Sequence, residues 1–172
     1  MVNVFIHIPK TAGKSLEKAL DIKKPKLRKY WEGIITLGHK PMSSLRLPDD
    51  AFTFSFCRNP YDRAVSMWAF NNKVRDLDIS FTEFCRGLNS WTWGHRIRLP
   101  QVTWVDGPLD FLGYYENLES DFGILCDKLG IEQRELPHEN ATEHGPWQEC
   151  YTEETQRIIK GYYAIDFERF GY

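Results

Sequence analysis

An apolar run rich in β-branched residues, Val2 to Ile8, stops at Pro9 and is followed by Lys10-Thr11-Ala12-Gly13-Lys14-Ser15. The run reads as a buried first strand, and Pro9 ends it. Residues 14–20 then read as a short helix that finishes near Lys24-Pro25. A strand, a loop of small and cationic residues, and a helix in that order leave few options for the fold. Such a loop aims its backbone N–H groups and the start of the helix at one spot outside the carboxyl end of a sheet. Ala12 and Gly13 let an anion approach the main chain, Lys10 or Lys14 adds a positive charge, and Thr11 and Ser15 supply hydroxyl donors. The end of the phosphate-loop pattern G-x-x-x-x-G-K-[ST] is matched by Gly13-Lys14-Ser15, but Ile8 stands where its first glycine belongs. The loop is therefore P-loop-like with one glycine missing. A plainer alternative is a tight β–α turn with a capping serine and incidental lysines.

The rest of the chain alternates strand and helix. Residues 33–37 and 52–57 read as the second and third strands, and Asn59-Pro60 turns the third into a helix reaching about Asn71. In that helix Asn59 is the cap and Pro60 the first helical residue. Ser80-Phe81-Thr82-Glu83 is a capping box for another helix. Residues 102–105 and 111–115 look like further strands, residues 118–129 like a helix closed by Gly130, and residues 152–163 like the last helix. This alternation implies a three-layer α/β/α fold with a central parallel sheet, and 172 residues without repeat or linker imply a single domain over 1–172.

A second anion site is expected at the third strand. Arg58 stands where that strand ends, and Ser66 lies on the helix that follows. An arginine so placed can offer a planar fork to a phosphate with a hydroxyl beside it, although pairing with Asp62 explains Arg58 equally well. Two anion sites at adjacent strand ends suit a ligand with two separated phosphate groups.

The segments Phe5-Ile6-His7-Ile8-Pro9-Lys10-Thr11-Ala12-Gly13 and Arg58-Asn59-Pro60-Tyr61-Asp62-Arg63-Ala64-Val65-Ser66 together resemble the carbohydrate sulfotransferases that use 3′-phosphoadenosine 5′-phosphosulfate (PAPS), the group containing heparan sulfate 2-O-sulfotransferase. The resemblance extends to Pro100-Gln101, Tyr115-Glu116-Asn117-Leu118, Leu136-Pro137-His138-Glu139-Asn140 and Phe170-Gly171-Tyr172, while Lys14 stands where family loops usually carry Thr or Ser. It implies a sulfotransferase fold, with residues 9–15 holding the 5′-phosphosulfate and Arg58 and Ser66 the 3′-phosphate. It also implies that the loop containing Asn140 and Thr142 closes over the cofactor, whose product is 3′-phosphoadenosine 5′-phosphate (PAP).

Sulfuryl transfer needs in-line geometry, charge stabilisation and an activated hydroxyl. Lys10 is the residue expected to neutralise the leaving phosphate. His39, at the expected end of the second strand, is the expected base, because a neutral imidazole is available near its ordinary pKa of about 6.5. A histidine serves as base in the 2-O-sulfotransferase branch, and the resemblance implies the same role here. Sulfuryl transfer requires no metal, and His138 and His144 match no common ligand spacing.

The acceptor is expected to be hydroxylated, most simply a glycan. Lys23, Lys24, Lys26, Arg28 and Lys29 form one basic run, and His95, Arg96 and Arg98 lie near Trp91 and Trp93. Rings stack on sugar faces and cations bind acid groups, so His39, Trp93, Arg96, Arg98 and Gln101 are the candidate acceptor residues. The competing reading is a solvated loop beside a tryptophan-filled satellite core.

A formal charge of −2 provides no global field for nucleic acid or membrane, and no apolar run approaches the roughly 20 residues of a membrane span. The apolar start is too short for a secretory leader, and four cysteines without C-x-x-C spacing suit buried free thiols, so the expected location is cytoplasmic. Two rival functions remain at this point. A small kinase using ATP and magnesium would take Gly13-Lys14-Ser15 as its phosphate loop and Val102–Asp106 as its metal-binding strand. A nucleotide-binding module without activity would keep the loops alone, and Lys10 and His39 argue against it.

Overall fold

The run that begins at Val2 pairs as a strand only over Asn3–Phe5 (β1), because the chain beyond it swings into the loop that leads to the helix Gly13–Ala19 (α1). The computed structural model describes residues 2–26, 32–90, 96–137 and 145–172. Strands Ile34–Thr36 (β2), Phe52–Cys57 (β3) and Phe111–Tyr114 (β4) complete a parallel sheet in the order β2-β1-β3-β4. Val4 lies opposite Ile35 on one side and Thr53 on the other. The chain thus leaves β1 for its neighbour on one side and later returns to its neighbour on the other. A strand order that reverses in this way opens a crevice at the carboxyl end of the switching strand, which is where α/β sheets bind ligands.

The chain divides into two compact units, Met1–Cys57 with Thr103–Asn140, and Arg58–Val102 with Ala141–Tyr172. In the first, β3 alternates Phe52, Phe54 and Phe56 towards one face and Thr53, Ser55 and Cys57 towards the other. The phenylalanine face packs against Leu16 and Leu20 from α1 and its exit, and against Phe122 and Leu125 of the helix Leu118–Leu129 (α4). Val4, Ile6, Ile35 and Ser55 are buried as well, so the sheet is covered on both faces, as parallel sheets require.

The second unit is helical: Pro60–Arg75 (α2), Phe81–Arg86 (α3), Glu153–Tyr162 (α5) and Ala164–Phe170 (α6). The Asn59 side chain accepts from the Tyr61 N–H with Pro60 at the first helical position, and Ser80 with Glu83 forms the expected capping box. Ala64, Val65, Phe84 and Ile159 fill its core.

Two expectations about secondary structure need correction. Residues 102–105 form no strand; Gln101–Thr103 is a single 3-10 turn. The Asp166 carboxylate takes the N–H groups of both Gln101 and Val102, and the Trp104 carbonyl accepts from the Met42 N–H, so these polar groups are satisfied outside any ladder. The helix expected over residues 152–163 forms as α5, ending at Tyr162, but it is not the last, because α6 follows from Ala164. The four cysteines are free thiols, three of them buried. Among the described residues no helix is long and apolar enough to cross a membrane.

Phe122 is 1% exposed at the junction of α4, α1 and the sheet. Phe122→Ala should lower the unfolding free energy by about 3–5 kcal/mol, measured by equilibrium denaturation. A loss below about 1 kcal/mol would be incompatible with this core.

Candidate active site

The loop between β1 and α1 is shaped by two residues in the left-handed region, Lys10 with φ 70° and Ala12 with φ 62°. A non-glycine residue there costs on the order of 1–3 kcal/mol, which the surrounding contacts must offset. Thr11 is fully buried and donates its hydroxyl to the Ile8 carbonyl at 2.9 Å, closing the loop. The Leu16 N–H then reaches back to the Ala12 carbonyl as the first turn of α1. Lys14 is exposed and Ser15 buried, so the sequence from Pro9 to Ser15 forms one continuous turn carrying both lysines.

Gly13 is required for a reason that its place in the phosphate-loop pattern does not convey. A Cβ on Gly13 would lie 1.8 Å from Nε2 of His7. The His7 ring therefore fills the space that a side chain would occupy. It also stacks on Phe5 at 5.1 Å and 24°, and its Nδ1 lies 3.1 Å from Oε1 of Glu17. The other Glu17 oxygen accepts from Lys14 Nζ at 3.1 Å and Lys24 Nζ at 2.7 Å. Burial alone would raise the Glu17 carboxyl, but hydrogen bonds from His7, Lys24 and Lys14 outweigh it and hold the group well below the usual carboxylate range. The Lys14 ammonium is raised, chiefly by its hydrogen bond to Glu17.

His39 follows β2 and Gly38, whose φ of 74° turns the chain back towards β1. Its ring centroid is 4.2 Å from that of His7, and its Nδ1 lies 2.8 Å from the His7 carbonyl oxygen. A carbonyl can only accept, so Nδ1 carries the proton and the lone pair of the neutral ring is on Nε2. The residue as a whole is exposed, yet its inner edge is covered by His7. That partial desolvation, with the neighbouring His7, pushes the His39 pKa below its ordinary 6.5. An imidazole in this state is neutral near pH 7 and has an acceptor nitrogen.

The second unit builds a different constellation. Arg58 stands just ahead of α2, joined to it by the cap residue Asn59, while Asp62 lies in the first turn of the helix and Ser66 one turn further on. Arg58 Nε donates to Asp62 Oδ2 at 2.7 Å, the pairing weighed as an alternative from the sequence, and Arg58 and Ser66 are both buried. Gln101 brackets the Arg58 main chain, its Oε1 accepting from the Arg58 N–H at 3.0 Å and its Nε2 donating to the Arg58 carbonyl at 2.8 Å. Asp166 in turn holds the Gln101 N–H at 2.7 Å. Burial pushes the Asp166 carboxyl up, against the pull of Arg63 and the bonded N–H groups.

The expected site residues therefore fall into two groups. Lys10, Thr11, Ala12, Gly13, Lys14, Ser15 and His39 come together in the first unit, and Arg58 and Ser66 in the second. Gln101 is fully buried with its amide engaged on Arg58, which fits it to hold that arginine rather than to meet an acceptor. Arg98 is likewise 6% exposed and donates to the Leu88 carbonyl, while Arg96 is exposed. Trp93, Asn140 and Thr142 lie outside the described residues. His7 and Glu17 went without a role in the sequence reading. The signal for Glu17 was its i,i+3 spacing from Lys14, which puts a carboxylate one turn into the helix that opens at the cationic loop.

A cationic loop at the switch point of a parallel sheet, with an imidazole against it, is the arrangement of an α/β protein that handles a phosphate-bearing ligand. The chain belongs to the sulfotransferase family, whose sequence model matches residues 3–172. It is 32% identical over 96 residues to an uncharacterized protein of Archaeoglobus fulgidus, covering 51% of this chain and 75% of that protein. It is 30% identical over 124 residues to carbohydrate sulfotransferase 14 of Danio rerio, covering 61% of this chain but only 32% of that protein. Among solved structures, a mouse sulfotransferase complexed with PAP has the same fold, with a TM-score of 0.66 at 15% identity over 97% of this chain and 85% of the other.

The close approach of His7 and Gly13 makes a direct prediction. Gly13→Ala should displace the His7 ring and cost roughly 1–3 kcal/mol, read as a lowered unfolding midpoint. A variant as stable as the parent would show that the ring does not occupy this space.

Proposed function

We propose that this chain transfers the sulfuryl group of PAPS to a hydroxyl on a carbohydrate. The observation that carries the proposal is the His39 imidazole, with its proton committed to the His7 carbonyl and its lone pair on Nε2, beside the loop of residues 9–15. The donor set suits the cofactor: Lys10, Lys14 and Ser15 in one turn for the phosphosulfate, and Arg58 ahead of α2 with Ser66 on that helix for the 3′-phosphate. Its kinship with carbohydrate sulfotransferase 14 and its fold likeness to a PAP-complexed sulfotransferase support the same reading. Bound PAPS supplies the activated sulfuryl group and leaves as PAP.

His39 accepts the acceptor's hydroxyl proton at Nε2 as the oxygen bonds to sulfur. Lys10 neutralises the charge that gathers on the phosphate oxygen when its bond to sulfur breaks. Lys14 and Ser15 hold the anion in line, and Gln101 keeps Arg58 in place. A role for a histidine as base is also what the likeness to the 2-O-sulfotransferase branch implies. For the acceptor, a cleft of about 730 Å³ opens along Gly38 and Lys40, the sequence neighbours of His39, and is lined further by Lys24, Lys26 and Arg46. Four cations round one cleft suit a sugar that carries carboxylate or sulfate groups. The kinase alternative loses its metal-binding strand, since residues 102–105 are not a strand and the Asp106 carboxylate is bonded to Ser43.

Two measurements test the proposal. PAP at one hundred times its Kd should raise the apparent stability by about 2.7 kcal/mol, and ATP with magnesium should not. Stabilisation by ATP-magnesium alone would overturn the proposal. Lys10→Ala should reduce turnover by roughly 10²–10³, the usual scale for removing a donor aimed at developing charge. An unchanged rate would remove Lys10 from the leaving-group role.

A further inference from the structure

We propose that Glu17 is a positioning residue for the transfer, holding the His7 ring against which the His39 ring packs; the inference rests on the reading of His39 as the base. His39 lies on a loop after β2 and is exposed as a residue. Two of its contacts come from one partner: its Nδ1 proton on the His7 carbonyl at 2.8 Å and its ring against the His7 ring at 4.2 Å. The pose of His39 therefore follows the pose of His7. His7 is fixed by the Phe5 stack on the strand side, by the space above Gly13, and by the Glu17 carboxylate at Nδ1. The first two contacts confine the ring by packing alone. Only the third is directional, and it determines which nitrogen of His7 carries the proton.

The lysine contacts of Glu17 do not account for its placement. The side chains of Lys14 and Lys24 are 56% and 53% exposed, and ion pairs so open to solvent are weak. The His7 contact joins side chains that are 7% and 10% exposed, so it is the desolvated one and the one most costly to break. The titratable groups facing His39 are His7 from the loop after β1 and Glu17 and Lys14 from α1. A carboxylate that orders an imidazole through a second imidazole acts as an outer-shell partner does at other histidine sites.

Glu17→Ala and Glu17→Gln test this. The glutamine oxygen can still accept from His7 Nδ1, so Glu17→Gln should retain most of the turnover. Glu17→Ala should lose roughly tenfold or more in kcat, since small misplacements of a reacting group are costly. The KM for PAPS should stay within about twofold of the parent, because the cofactor loop keeps Lys10 and Lys14. A KM that rises in step with the loss of kcat would mean that Glu17 only shapes the loop, and would overturn the inference, as would Glu17→Ala turnover equal to that of the parent. The His39 ring resonances of each folded variant provide a reading independent of transfer. They should report the Nδ1–H tautomer in the parent and in Glu17→Gln, and a shifted, averaged signal in Glu17→Ala. An unchanged His39 spectrum in Glu17→Ala overturns the positioning role. Full transfer by His39→Ala would instead remove the base reading, with the resonances still deciding what Glu17 does to the ring.

Discussion

The contact between the His7 ring and the backbone of Gly13 is the constraint on which the first unit turns. It brings the end of β1 and the start of α1 so close that no side chain fits between them. It leaves the His7 carbonyl directed at His39 and the His7 Nδ1 at Glu17, so one histidine connects three segments separated in sequence. The left-handed turns at Lys10 and Ala12 follow from the same need to reverse the chain within a few residues. That strain persists because buried partners on either side determine the conformation.

Much of this was readable from the letters because it depends on local rules. Asn59-Pro60 began a helix, Ser80 and Glu83 capped another, and Gly130 closed a third; each involves a few neighbouring residues. The limits of β3 and α4 follow from the same signals. What could not be read depends on partners distant in the chain. Residues 102–105 have the apolar character of a strand, but the carboxylate of Asp166 takes two N–H groups at the start of the segment. Glu17 looks like an ordinary solvent-facing helix residue until His7, ten positions earlier, is folded against it.

Two polar residues expected at the acceptor are enclosed by the fold. Gln101 and Arg98 lie in a stretch dense with arginine and tryptophan, which favoured a surface role. Both are buried, and their polar atoms bind main-chain groups of Arg58 and Leu88. Tyr163 extends the pattern, its hydroxyl donating to the Arg98 carbonyl and its ring lying 5.7 Å from the fully buried Arg63 guanidinium. The Gln101 amide, bonded to both the N–H and the carbonyl of Arg58, holds that backbone by two directional hydrogen bonds. The second unit is thus a rigid mount for one arginine, and the first a mount for one imidazole.

The central claim is that a neutral His39 takes the proton during sulfuryl transfer. It is tested most directly by kcat/KM as a function of pH, with labelled PAPS and an acidic glycan. Burial against His7 lowers the His39 pKa, so activity should stay level as pH falls through 6.5 and decline only below it, in a limb that His39→Ala abolishes along with most of the rate. A limb centred above pH 6.5, or one that survives in His39→Ala, would contradict the assignment.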